Sequence, residues 1–250
     1  MKLRKTMVGV LTFLGLSAAA GEGRSIEDIL QRHEHAMGGS GAWADIKTVK
    51  MTGRYTIYGN DYDLVLLKRK PNHMAILLSN GETEIQVGYN GETARIWIKS
   101  EGGEPRDDDD VRTKIFMECF AGPEGPLMRS REKGYSVTLE ENAVLNGKAV
   151  LALRVIRDSG REELWYLDPE SFLPLKRTTR VDRETYGYEQ VVVFDDYRQV
   201  GGLILPFYFE REDYQHVREY TIEAVSLNPE LGDEEENALM AWLNETAPRN

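Results

Sequence analysis

Thr48-Val49-Lys50-Met51-Thr52-Gly53-Arg54-Tyr55-Thr56-Ile57 decides the fold, because Val49, Met51, Tyr55 and Ile57 alternate with Thr48, Lys50, Thr52, Arg54 and Thr56. A strand sends successive side chains to opposite faces, so this period of two marks a half-buried strand. The alternation assigns Val49, Met51, Tyr55 and Ile57 to an inward row and Lys50, Thr52 and Arg54 to a solvent row. By the same logic Met74, Ile76 and Leu78 of a neighbouring strand supply a second inward row.

Strand-like runs continue outward from there, at 62–69, 73–79, 84–89 and 93–98, separated by Pro71-Asn72, Asn80-Gly81 and Asn90-Gly91. Asn-Gly is a two-residue hairpin signal, since both central positions of the favoured turn need positive φ. Beyond residue 130 the pattern resumes at 135–142, 149–157, 161–167, 173–180, 187–197, 203–212 and 217–227, punctuated by Asn146-Gly147, Asp158-Ser159-Gly160, Asp168-Pro169 and Gly201-Gly202. Helical periodicity is confined to three places. Residues 25–37 carry Ser25 as a cap and Ile26, Ile29, Leu30, His33 and Met37 on one stripe, ending at Gly38-Gly39. Residues 111–120 place Val111, Ile115 and Cys119 on another. A last helix near 234–244 opens with Asp233-Glu234-Glu235-Glu236, which suits a helix N-terminus.

Consecutive tight turns predict an antiparallel meander. A sheet this long curls, because twist accumulates and open sheets rarely exceed ~10 strands flat. The expected fold is mainly β with a few helices: a curved antiparallel sheet forming an unclosed half-barrel, covered by helices. No linker composition interrupts residues 21–250, so one domain with a C-terminal helix is expected.

Composition narrows the function. With 31 Lys+Arg against 42 Asp+Glu, the 250-residue chain has a formal charge of −11 and lacks the basic footprint that nucleic acid requires. At 41% hydrophobic and 29% charged it is neither disordered nor a polytopic membrane protein, and its single Cys rules out a disulfide framework. Residues 1–20 read as a signal peptide: Lys2, Arg4 and Lys5 precede the apolar run Met7 to Leu16, too short for the ~20 residues of a membrane span, and Ala18 and Ala20 fit a cleavage site after Ala20. An exported, acidic, disulfide-free chain is expected in a bacterial periplasm.

The motifs of chemistry are few. His33 and His35 lie two apart on one helix, about 200° around it, so they cannot share an ion, and His33 is expected to pack on the apolar stripe. Asp107-Asp108-Asp109-Asp110 lacks the spacing and turn glycine of a calcium loop and reads as a solvated acidic loop before a helix. Cys119 reads as a small buried hydrophobe. There is no G-x-S-x-G elbow, phosphate loop or dinucleotide fingerprint. No enzymatic activity, metal or cofactor is expected. What the strands do carry is apolar side chains, and a curled sheet covered by only three short helices is expected to leave a trough suited to an apolar ligand.

Several strings resemble a known family. Ala36-Met37-Gly38-Gly39 leading to Ile46 to Gly53, Lys68-Arg69-Lys70-Pro71, Asn90-Gly91, Gly122 to Leu127 and Lys133-Gly134-Tyr135 are similar to proteins of the LolA-like superfamily, which includes outer-membrane lipoprotein-sorting proteins. Leu145-Asn146-Gly147-Lys148, Trp165 to Pro174 and Asp196 to Pro206 extend the resemblance over roughly residues 25–230, the last two strings being the most specific. It implies an unclosed antiparallel barrel of about eleven strands, lined by apolar side chains and covered by helices. It also implies a periplasmic carrier whose cavity takes lipid or lipoprotein acyl chains and exchanges them with a membrane-bound donor or acceptor protein. Some relatives are regulatory sensor modules that signal to a protein partner, which is the alternative. No individual binding residue transfers, so the candidate cavity residues rest on strand alternation and apolar content: Val49, Met51, Tyr55, Ile57, Met74, Ile76, Leu78, Trp97 and Trp165. A monomer is expected.

Overall fold

In the computed structural model, which describes residues 23–99, 102–141, 143–180, 189–213 and 216–242, the alternating stretch is the ten-residue strand β1 (Thr48–Ile57). Helices α1 (Ile26–Ala36) and α2 (Gly39–Ala44) precede it. There follow β2 (Asn60–Arg69), β3 (His73–Ser79), β4 (Glu84–Tyr89), β5 (Ala94–Ile98) and the two-residue β6 (Arg106–Asp107). Helix α3 (Val111–Phe120) separates these from β7 (Ser136–Glu140), the short pair β8 (Val144–Leu145) and β9 (Lys148–Ala149), β10 (Leu151–Ile156), β11 (Glu162–Leu167) and β12 (Pro174–Arg180). β13 (Glu189–Val200), β14 (Leu203–Asp213), β15 (His216–Leu227) and α4 (Asp233–Leu239) complete the described chain. The signal-peptide reading of residues 1–20 lies outside the described residues.

Thirteen strands form one antiparallel sheet in the order β6-β5-β4-β3-β2-β1-β15-β14-β13-β12-β11-β10-β7. β6 and β7 are its two unjoined ends, so the sheet does not close. The count exceeds about eleven, and β6 is the strand that alternation could not reveal, being only two residues long. The meander reading also needs a correction. The first and last strands pair in mid-sheet, with Val49 opposite Leu227 and Tyr55 opposite Tyr220. Local turns cannot announce such a seam. At its bulge, between Thr52 and Gly53, a Cβ on Gly53 would stand 2.0 Å from the Thr221 carbonyl oxygen. Asn228 clamps one end of the seam, its Oδ1 accepting from Lys47 N at 2.7 Å and Thr48 N at 3.0 Å.

The Asn-Gly pairs divide into two kinds. At Asn146-Gly147 both residues have positive φ, 51° and 77°, as a two-residue hairpin requires. At 80–81 and 90–91 only the glycine does. There Asn80 Oδ1 accepts from the backbone of Glu82 and Thr83, and Asn90 Oδ1 from Glu92 and Thr93, so these loops are built by side-chain capping.

The sheet has one face that carries the large core and one that does not. Val49, Met51, Leu64, Leu66, Met74, Ile76, Leu153, Trp165, Phe194, Leu205, Phe209 and Tyr220 share the inner face with Ile29 of α1, Trp43 of α2 and Phe116, Met117 and Phe120 of α3. Ser25 caps α1 by accepting from Asp28 N, as its sequence implies. The outer face of β2–β5 is covered as well. Leu67 and Ala75 pack there with Ala238, Leu239 and Trp242, and a Cβ on Gly88 would meet the Ala238 carbonyl oxygen at 2.0 Å.

That covering changes the reading of β1's second row. Lys50 does not face open solvent: it pairs with Glu235 at 2.6 Å, while Arg69 grips Glu236 through two bonds of 2.7 and 2.6 Å. Lys99 and Gln86 both reach Glu234. The acidic opening of α4 thus serves the helix dipole and also docks the helix onto a row of outer-face cations.

Candidate functional site

The inner face curls around α3. Residues of β2 and β11, with five strands between them in the sheet, line one chamber; at about 4.8 Å per strand a flat sheet would hold them far apart. Lys68 of β2, Met51 of β1, Trp165 of β11, Phe194 of β13 and Leu205 and Phe209 of β14 form its walls, with His33 of α1 and the helix's C-cap Met37 at one end. Phe120 and the segment Pro123–Leu127 close it. As closed, the chamber holds only about 60 Å³.

The same segment is the wall of a second, open cleft of about 850 Å³, lined by polar groups including Lys70, Glu118, Glu124, Arg129, Lys133 and Arg157. Chamber and cleft share Cys119, Pro123, Glu124, Gly125 and Pro126, so this short stretch is the partition between them. Glu124 fastens it. Its buried carboxylate lies 2.6 Å from Arg129, 3.1 Å from Lys133 and 3.3 Å from Lys70, and Lys133 also donates to the Gly125 carbonyl at 2.6 Å. Burial would raise the Glu124 pKa, but the Lys133 charge and the Arg129 and Lys133 hydrogen bonds overcome it and hold the carboxyl below its ordinary value.

Helix α3 is the plug. Asp110 caps its start, accepting from Arg112 N at 2.9 Å, and Asp108 accepts from Asp110 N. The acidic loop is therefore less solvated than its sequence suggests: Asp108 is buried, and burial raises its pKa. Phe116 stacks on Tyr220 and Phe120 on Phe194, both with centroids 6.1 Å apart, while Phe209 meets Phe120 at 5.0 Å with its ring tilted. Both ends of α3 are also held by hydrogen bonds from buried groups of the sheet. Gln190 Nε2 donates to the Arg112 carbonyl at 3.0 Å, and Arg157 Nη2 to the Cys119 carbonyl at 2.9 Å.

Those donors belong to a continuous buried network. Arg157 pairs with Glu163, which also accepts from Trp165 Nε1 at 3.1 Å and lies 3.9 Å from Arg177. Arg177 donates to Gln190, Gln190 to Asp213, and Asp213 pairs with Arg211 at 2.6 Å and Arg218 at 2.8 Å. Arg177, Glu163, Gln190 and Asp213 are fully buried. In this network four arginines, Arg218 among them only partly buried, meet two carboxylates.

Of the nine residues that alternation and apolar content suggested, Met51 and Trp165 line the chamber. Val49, Tyr55, Ile57, Met74, Ile76 and Leu78 lie on the same face within or against the packed core. Trp97 lies on the other face, against Trp242 of the C-terminal segment at 6.2 Å, because β5 presents its odd positions to α4. His33 is buried, with Nδ1 2.9 Å from the Phe172 carbonyl oxygen. Burial pulls its pKa down to about 4 and pushes that of the Cys119 thiol up to about 12. The buried charges escaped sequence reading, although their phase was visible: Glu163 stands two before Trp165, Gln190 two before Val192, Arg211 two after Phe209, and Lys68 two after Leu66. Period two places each beside a core residue.

No family model and no curated protein matches the sequence. Solved structures do match the fold. A domain described as that of an outer membrane lipoprotein-sorting protein, from Vibrio parahaemolyticus, superposes with TM-score 0.56 at 15% identity, over 85% of this chain and 97% of that one. A DUF1329 family protein from Desulfovibrio piger gives 0.56 at 13% identity, over 85% and 96%. A LolA superfamily protein from Nitrosomonas europaea gives 0.55 at 13%, over 84% and 96%. The fold is LolA-like, in agreement with the resemblance read from the sequence. Among the described residues no helix is long and apolar enough to cross a membrane.

Proposed function

We propose that this chain is a periplasmic carrier of lipid or lipoprotein acyl chains, exported by a signal peptide at residues 1–20 and acting by reversible burial without covalent chemistry. The observation that carries the reading is the chamber beneath the α3 plug, where side chains from distant strands converge under a partition fastened by a single carboxylate. As closed the chamber is too small for a long chain, so loading swings Pro123–Leu127 and Phe120 outward and lets the chain take their place on Met51, Phe194 and Phe209. Each CH₂ transferred from water gains about 0.8 kcal/mol, enough for binding and reversible enough for hand-over to a membrane-bound donor or acceptor protein.

The test is native mass spectrometry with organic extraction of protein isolated from the periplasm, followed by uptake of a fluorescent acyl probe. Lipid should co-purify. Met51→Asp should weaken probe uptake at least tenfold by placing an unpaired carboxylate in the chamber, whereas Thr52→Asp, on the other face, should leave it unchanged. A lipid-free protein that takes up no acyl probe overturns the reading, and a stable protein complex formed without lipid would favour a sensor module.

A further inference from the structure

Lys68 stands apart from every other buried charge. It is 6% exposed, lines the chamber, and among the described residues its ammonium makes no hydrogen bond or ion pair, resting 4.1 Å from the centroid of the Phe120 ring. The neighbouring carboxylates are committed elsewhere: Glu163 to Arg157 and Trp165, Glu124 to Arg129, Lys133 and Lys70. Lys133, Arg157 and Arg177 all add positive potential at Lys68. A buried ammonium without a counter-charge is costly, and a fold that keeps one among aromatic and aliphatic walls presents it to an anion.

We infer that Lys68 is the head-group contact of the chamber and that its ligand is a long-chain carboxylate, the single negative charge on the Lys68 ammonium and the chain along Met51, Trp165, Phe194, Leu205 and Phe209. The inference rests on the carrier reading and narrows it. A neutral ester-linked chain would leave the ammonium unpaired. A phosphate head carries up to two charges and several acceptor oxygens, and among the described residues lining the chamber Lys68 is the one lysine or arginine to meet them. The position of Lys68 also fits the geometry of entry: the two residues that follow it lead to Lys70 on the polar cleft, so the head lies toward the partition and the tail away from it.

The test compares cis-parinaric acid with its methyl ester at pH 7, on the full-length mature protein and on Lys68→Met. Wild type should bind the acid at least tenfold more tightly than the ester. Lys68→Met should bind both alike, with its ester affinity within threefold of wild type, and should fold, because the change removes an unpaired buried charge. Equal binding of acid and ester by wild type overturns the inference and leaves the carrier reading standing. An acid preference that survives in Lys68→Met overturns it too, and oleoyl lysophosphatidate displacing the acid more than tenfold better than oleate does would assign a phosphate head in its place. Binding of neither probe removes both readings.

Discussion

The two halves of the sheet differ in what their inner faces hold, largely apolar side chains in one and a buried charge network in the other. In β2–β5 the inner face is apolar but for Lys68, the outer face is covered by α4, and the ion pairs that dock that helix are partly solvated. In β10–β14 the outer face is open, leaving Ile156 and Val193 exposed beside the solvated pairs of Arg154 with Glu140 and Glu162, and the buried charges lie inside, under α3. Burying an ion pair rarely stabilises a fold relative to apolar packing, so the first half is built for stability and the second holds costly groups that position a movable plug. The chamber lies where the two meet.

The largest effect of a single substitution is expected on the inside of the second half. Glu163→Ala strands Arg157 and Arg177 without their carboxylate, and urea denaturation should show a loss of about 5 kcal/mol. A loss below ~1 kcal/mol would mean that water reaches the network and that the halves do not differ. Lys68→Met reverses the sign. Burial, with Lys133, Arg177 and Arg157, pulls the Lys68 pKa from 10.5 down to about 7. Between those values the unfolded chain holds the proton and the folded one does not, so Lys68 costs stability at neutral pH and the cost fades as pH rises toward 10.5. Lys133, Arg177 and Arg157 are the charges that act on it, all of them opposing its proton. The variant should be more stable by about 4 kcal/mol at pH 7, with the gap narrowing by pH 9.

The first half was legible in the sequence and the second only in part, for a physical reason. β1 alternates apolar with polar, so its inner row, Val49 to Ile57, could be read directly, whereas β3 is apolar from Met74 through Leu78 because its outer Ala75 and Leu77 meet the α4 cluster. In β11–β14 the inner row itself is polar at Glu163, Arg177, Gln190, Arg211 and Asp213, and hydropathy counts such residues as surface. The strands were found but their chemistry was not. Trp97 failed in the opposite way: its size suggested a cavity, but only the docking of α4 reveals that it serves the outer face. The pairing of β1 with β15 joins residues some 170 apart, and no local pattern encodes it.

A smaller effect separates two histidines. His33, buried where α1 meets the Phe172 carbonyl, has its pKa lowered to about 4 by burial, whereas His73 on β3 is only partly buried. A depressed histidine pKa means the folded state gains nothing above pH 6.5 and loses stability as pH falls toward 4, where the unfolded chain takes up the proton first. Wild type should therefore lose roughly 3 kcal/mol more than His33→Gln between pH 7 and pH 4. Replacing His73 by Gln should alter the profile much less. Parallel curves for wild type and His33→Gln would show that α1 opens to water at that end of the chamber.

The smallest effect is expected on the outer face, and its size is what makes it informative. Lys50 and Glu235 are 2.6 Å apart, with side chains 27% and 14% exposed, and water screens such a pair. A double-mutant cycle with Lys50→Ala and Glu235→Ala should give a coupling of about 0.5–1 kcal/mol, falling further in 1 M salt. Neither change touches the chamber, because Lys50 and Met51 point to opposite faces of β1. Uptake of an acyl probe should therefore be unchanged in both variants, even though Lys50 is adjacent in sequence to the chamber residue Met51. A coupling of several kcal/mol would mean that the outer pairs are as desolvated as Glu163 and Arg157. Weakened uptake with stability intact would mean that α4 governs the inner face through the sheet, and the division of labour between the halves would fail at the strand that joins them.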